Sequence, residues 1–132
     1  MIGLDTNVLV RYIVQDDPVQ SAIATKLIET RLSQDSPGFV TVVTLCELVW
    51  VLTDCYAADR AKISTVIEAL LATRQIRVER ADLAWRALRS WGATAADFSD
   101  ALIGEIVADY DGEKIVTFDR KAATLPGFEL LQ

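Results

Sequence analysis

The sequence contains no histidine. That absence removes every scheme in which an imidazole acts as base or ligand: Ser-His-Asp and Cys-His nucleophiles, histidine zinc sites, and ribonuclease chemistry with an imidazole base. Cysteine is scarce. Cys46 and Cys55 lie nine positions apart in an apolar stretch, with no CxxC and no further thiol to complete a metal cage, so they read as reduced core residues. A surplus of positive charge is also lacking. Thirteen basic residues face 19 acidic ones, for a net charge of -6 and a pI near 4.6, which excludes the global basic footprint of a nucleic-acid binder. A nucleic-acid substrate must be attracted locally. The opening Met1-Ile2-Gly3-Leu4-Asp5 lacks a basic region followed by an apolar core, so a cytoplasmic location is expected. The longest nearly uncharged window, Ser36 to Thr53, contains Pro37, Gly38 and Glu47 and is a poor membrane span.

What is present suffices for a packed core. With 132 residues, 52% hydrophobic and 24% charged, the chain is expected to form one domain over residues 1–132, with no linker, repeat or low-complexity segment. Ile2-Gly3-Leu4 reads as a short strand turning at Asp5 into a helix through Val8, Leu9, Tyr12 and Ile13. Asp17-Pro18 starts another helix, with Gln20 three residues after the cap. Phe39 to Val42 is β-prone, and Leu45 to Leu52 reads as a buried helix apolar nearly all round. Asp59 caps the next helix, and Ile76 to Glu79 alternates as a half-buried strand. Helices follow from Asp82 to Trp91 and from Asp97 to Gly112, then strands at Ile115 to Phe118 and Phe128 to Leu131. Strands alternating with helices predict an α/β fold with a parallel sheet covered on both faces, its crevice outside the carboxyl ends of the strands.

The acids fall where that architecture places chemistry. Asp5 and Asp119 follow strands, while Glu47, Asp97 and Asp100 lie in the first turns of helices that follow strands. Several carboxylates converging on one crevice repel one another unless a cation holds them, and magnesium or manganese suits an oxygen-only donor set. Each acid also has a structural reading. Asp97 resembles an ordinary N-cap, Glu47 stands three residues after Thr44 as in a capping box, and Asp5 and Asp119 suit Asx-turns closing strands. Glu47, flanked by Cys46 and Leu48, is expected to need a partner if buried. Arg11, Arg120 and Lys121 lie beside Asp5 and Asp119 and suit either phosphate contacts or a solvated face. Trp50, Trp85 and Trp91 read as core or subunit-contact residues rather than base-stacking platforms.

Taken in order, Asp5-Thr6-Asn7-Val8-Leu9, Thr44-Leu45-Cys46-Glu47-Leu48, Asp97 to Ile103 and Val116-Thr117-Phe118-Asp119 resemble the PIN-domain nucleases, most closely the VapC-type toxins of prokaryotic toxin-antitoxin pairs. The resemblance implies a PIN-like three-layer sandwich, with helices on both faces of a five-stranded parallel sheet. It also implies a magnesium-dependent endoribonuclease, usually a homodimer, that cleaves single-stranded RNA by metal-activated water and is restrained by a VapB-type antitoxin. Asp5, Asp100 and Asp119 would then bind Mg2+ or Mn2+, Glu47 would complete the catalytic acids, and Thr6, Asn7 and Thr117 would orient the acids or the phosphate. Asp97 competes with Asp100 for the third metal position. Two readings from other classes stand beside this one: a PIN-like RNA-binding or regulatory module without nuclease activity, and a magnesium-dependent phosphoryl-transfer enzyme.

Overall fold

The computed structural model describes residues 1–132. The chain folds into six α-helices and five short strands, all paired in parallel. By internal contacts it divides into two compact units, Met1–Ala81 and Asp82–Gln132.

In the first unit, β1 (Ile2–Gly3), β2 (Gly38–Val40) and β3 (Ile76–Val78) form a sheet in the order β1-β2-β3. Four helices join these strands: α1 (Thr6–Val14), α2 (Pro18–Lys26), α3 (Val42–Tyr56) and α4 (Arg60–Ala72). Local chemistry sets their starts. Asp17 accepts from the N–H groups of Val19 and Gln20, with Pro18 in the first turn of α2, and Asp59 accepts from Lys62 N–H at 2.8 Å to begin α4. A π turn, Leu27–Arg31, extends α2. Leu9, Ile28, Val40, Leu45, Leu48 and Ile67 are fully buried and form the core of this unit. Gly38 gives β2 a close fit to its neighbours: a Cβ there would meet Leu4 Cδ1 at 2.6 Å and Leu32 Cδ1 at 2.8 Å, so those two side chains would have to shift.

Several expectations about this unit change. The strand expected to reach Val42 ends at Val40, because Thr41 caps α3 by accepting from Thr44 N–H and Val42 is already helical. Helix α3 is not buried all round. Leu45, Leu48 and Leu52 face the core, while Val43 and Trp50 are 73% and 60% exposed, so Trp50 is not a core residue. Nor are the cysteines: both are free thiols, Cys46 half-buried and Cys55 exposed.

The second unit contains α5 (from Ala81 to Gly92), α6 (Phe98–Asp109), β4 (Ile115–Thr117) and β5 (Phe128–Leu130). Leu83, Ala84, Ala87, Leu88 and Trp91 lie along the buried face of α5, and the Trp91 ring meets Phe98 of α6 edge-on at 6.0 Å between centroids. Trp85 on the same helix is half-buried. Gly104 lets α6 approach β5: a Cβ there would lie 2.8 Å from Phe128 Cε1.

The single five-stranded sheet is not formed. Three strands make one sheet and two make another, with no ladder joining them. The physical reason lies in strand length. The backbone bonds Ile2 N–H to Pro37 O and Leu4 N–H to Phe39 O tie β1 to β2 on one edge, and a strand of two residues has little backbone left for a second ladder. No helix is long and apolar enough to cross a membrane.

Candidate active site

In the first unit, β1 delivers Asp5 to the start of α1. Asp5 has extended backbone at the N-cap, and its Oδ1 accepts from Thr6 N–H at 2.8 Å. The Asx-turn weighed for this residue is not formed, because its bond reaches Thr6, one residue on, and not Asn7; that bond occupies one oxygen and leaves Oδ2 open. Thr6 contributes through its backbone. Its hydroxyl is buried and has no partner, an arrangement that costs about 1–3 kcal/mol unless something meets it there. Asp5, Thr6, Asn7 and Glu47 line one groove of about 330 Å³ between α1 and α3. Glu47 is exposed, which overturns the expectation of a carboxylate buried among apolar neighbours. The capping box from Thr44 to Glu47 is absent too, since Thr41 is the cap.

Arg11 and Tyr56 line the same groove, in a cluster spread over 46 positions of sequence. Arg11 Nη1 meets Asp16 Oδ1 at 3.1 Å, Arg11 Nε donates to Gln20 Oε1 at 2.7 Å, and the Tyr56 hydroxyl donates to Asp16 Oδ2 at 2.8 Å. The bond from Tyr56 holds the Asp16 carboxyl below its ordinary range against some opposition from burial, and Arg11 adds to that effect. The Tyr56 hydroxyl is pushed up in turn, chiefly by the same bond. Asp16, Gln20 and Tyr56 escaped the sequence reading because no short motif joins them. The only local signals were Arg11 beside the first acid block and the Asp16-Asp17 pair.

In the second unit, Asp97 stands at the N-cap of α6 with extended backbone, yet its side chain makes no capping bond. The ordinary explanation for this acid thus fails. Burial pushes the Asp100 carboxyl above its ordinary range, and the charges of Asp97 and Asp119 push the same way. The structure therefore brings Asp97 and Asp119 each within electrostatic reach of Asp100. Asp119 follows β4 as expected. Its Oδ1 accepts from Lys121 N–H at 2.8 Å and Ala122 N–H at 3.3 Å, and its own N–H donates to Thr117 Oγ1 at 3.0 Å. Thr117 is thus a positioning residue for Asp119. The side chains of Arg120 and Lys121 are exposed beside it.

No group of three or more acids or thiols lies close enough to hold an ion unaided. The donor chemistry nonetheless suits magnesium, which keeps several waters and is commonly held by only one or two carboxylates. Asp5 Oδ2 is open, the hydroxyl of the next residue, Thr6, is without a partner, and the charges around Asp100 have no counter-ion among the groups that shift it.

Short parallel strands followed by aspartates, in a chain without histidine, characterise an α/β protein with carboxylates at the ends of β1 and β4. The sequence profile of the PIN domain matches residues 2–127, and the chain belongs to that family. PIN domains are a nuclease-type fold, acting on phosphodiester bonds and generally using divalent metals. No curated protein matches the chain.

Proposed function

We propose that the protein is a magnesium-dependent endoribonuclease that cleaves single-stranded RNA, and that it serves as the VapC-type toxin of a type II toxin-antitoxin pair. The observation that carries the nuclease reading is the aspartate group of the second unit. Asp97 withholds its carboxylate from the helix it precedes, while Asp100 is pushed up first by burial and then by the charges of Asp97 and Asp119. A folded chain keeps such a cluster at a cost, and a cation offsets that cost.

In this reading Asp5 and Glu47 of the first unit and Asp100 and Asp119 of the second are the acids on which cleavage depends. Asp100 is preferred to Asp97 as the metal-binding member because burial makes its charge the more dependent on a cation. Magnesium or manganese, when bound, activates water and neutralises charge on the phosphate. The chain's own groups do the positioning: Thr6 N–H fixes Asp5 through Oδ1, and Thr117 with the Lys121 and Ala122 N–H groups fixes Asp119. Asn7, exposed in the groove, is a further orienting group, and Arg120 and Lys121 supply local attraction for the RNA backbone. A homodimeric, cytoplasmic toxin restrained by a VapB-type antitoxin completes the proposal, and it rests on the likeness of the acid blocks to those toxins. At a net charge of -6 the protein lacks a global basic surface to shield, so the antitoxin is expected to bring an Arg or Lys to the acids.

The test is cleavage of single-stranded RNA by the purified protein with magnesium or manganese, abolished by chelator. Products with 5′-phosphate ends are expected, whereas 2′,3′-cyclic phosphate ends would show attack by the RNA's own hydroxyl and overturn the mechanism.

A further inference from the structure

The groove between α1 and α3 has two ends. Asp5 and Glu47 lie near the helix starts, and Arg11 and Tyr56 lie farther along the same helices, roughly 9 Å from Asp5 and 13 Å from Glu47 at about 1.5 Å per residue. Val10 and Val51 wall the space between. Its volume of about 330 Å³ is at the small end of ligand pockets and suits a single nucleotide.

The Arg11 guanidinium is fixed by three acceptors. Nε donates to Gln20 Oε1 at 2.7 Å, and Nη1 donates to Asp16 Oδ1 at 3.1 Å and to the Tyr56 oxygen at 3.5 Å. An arginine whose purpose is a structural ion pair commonly meets its carboxylate with a two-pronged fork. Here Tyr56 occupies Asp16 Oδ2, so Asp16 is met by Nη1 alone. The two N–H groups of Nη2 are left without an acceptor in the protein. A guanidinium already held in one orientation, with two donors unused, loses little further freedom when it meets a phosphate.

We propose that this groove is the subsite for a nucleotide flanking the cleaved linkage, with Arg11 Nη2 donating to its phosphate and Asp16, Gln20 and Tyr56 acting as positioning residues. The inference rests on the nuclease reading and adds how a neighbouring nucleotide of the same substrate is held. Asp16 offsets the charge of Arg11 at long range, so the contact fixes the register of the strand more than it draws RNA in from solution.

The experiment measures binding of a short single-stranded phosphorothioate RNA, which keeps its charge and resists cleavage, in magnesium over a series of salt concentrations. Wild type, Arg11→Gln and Arg11→Lys are compared, with cleavage of ordinary RNA and melting temperature measured in parallel. Arg11→Gln is expected to weaken binding about tenfold and to reduce the slope of log affinity against log salt by up to about 0.7. Its loss in cleavage should fall on KM more than on kcat. Arg11→Lys should restore the salt slope but not the affinity, because the charge returns without the fork. Equal affinity and slope in all three proteins overturns the subsite, as does a lowered melting temperature with unchanged slope, which makes the cluster purely structural. Failure of wild type to bind the RNA overturns it outright. If wild type binds RNA in an Arg11-dependent way but does not cleave it, the nuclease reading falls and the subsite stands; cleavage without Arg11 dependence has the opposite meaning.

Discussion

Thr117 Oγ1 accepts a hydrogen bond at 3.0 Å from the backbone N–H of Asp119, two residues later. The Asp119 carboxylate then receives the N–H groups of Lys121 and Ala122 on Oδ1, which leaves Oδ2 open. Backbone and side chain of one candidate acid are thereby both anchored, and a hydroxyl at position 117 is part of the anchor.

Thr117→Val keeps the shape of the side chain and removes the acceptor. It is expected to cost about 0.5–1.5 kcal/mol of stability and to lower RNA cleavage about tenfold or more through misplacement of Asp119. Thr117→Ser should restore most of the activity. A wild-type rate for Thr117→Val, measured on the folded variant, would show that Asp119 needs no such anchor.

Two aspartates at helix starts should behave oppositely. Asp59 caps α4 through Lys62 N–H, so Asp59→Ala is expected to destabilise the protein by about 1 kcal/mol with little effect on cleavage. Asp97 occupies the same position before α6 without a capping bond, so Asp97→Ala should cost well under about 0.5 kcal/mol while still reducing activity. Denaturant melts of both variants beside cleavage assays decide the matter: a full capping penalty at Asp97 would return it to a structural role.

Asp100 predicts a dependence on pH with a definite sign. Its carboxyl titrates above the ordinary value of 3.8 in the folded chain, first through burial and then through Asp97 and Asp119, so the folded state holds that proton more tightly than the unfolded one. Below the ordinary value both states are protonated and the group is neutral toward stability; as pH rises through the raised value, stability is lost. Asp100→Asn should therefore stabilise the metal-free protein at neutral pH, by less than about 1 kcal/mol because solvent screens the site. The difference should vanish below pH 3.8. Magnesium should raise the melting temperature of wild type more than that of Asp100→Asn. Identical responses to magnesium would remove Asp100 from the metal-binding set.

The positions of Asp5 and Asp119 after parallel strands were legible because short apolar runs followed by an acid fix both the element and its end. The caps Asp17 and Asp59 were legible for the same local reason. Sheet pairing was not, since ladder formation by two- or three-residue strands depends on long-range backbone geometry that no periodicity encodes. The environment of Glu47 was misread from its neighbours: Cys46 and Leu48 are adjacent in sequence but point away from it around the helix, and the residues sharing its face, Val43 and Trp50, are themselves exposed. Arg11 was noticed as a charge, but its fixed orientation required Tyr56 from another helix.

Glu47 offers the sharpest separation of fold from function. Val42 opens α3, so Glu47 lies beyond the first turn, where attraction to the helix dipole has faded, and its exposed carboxylate makes no capping bond. Nothing local requires a negative charge there. Glu47→Gln should leave stability within about 0.5 kcal/mol of wild type, yet abolish most RNA cleavage at saturating magnesium. Circular dichroism melts establish the first part and end-labelled RNA assays the second. If Glu47→Gln instead lost more than about 1 kcal/mol and kept its rate, the carboxylate would belong to the fold of α3, and the acids of the first unit would reduce to Asp5.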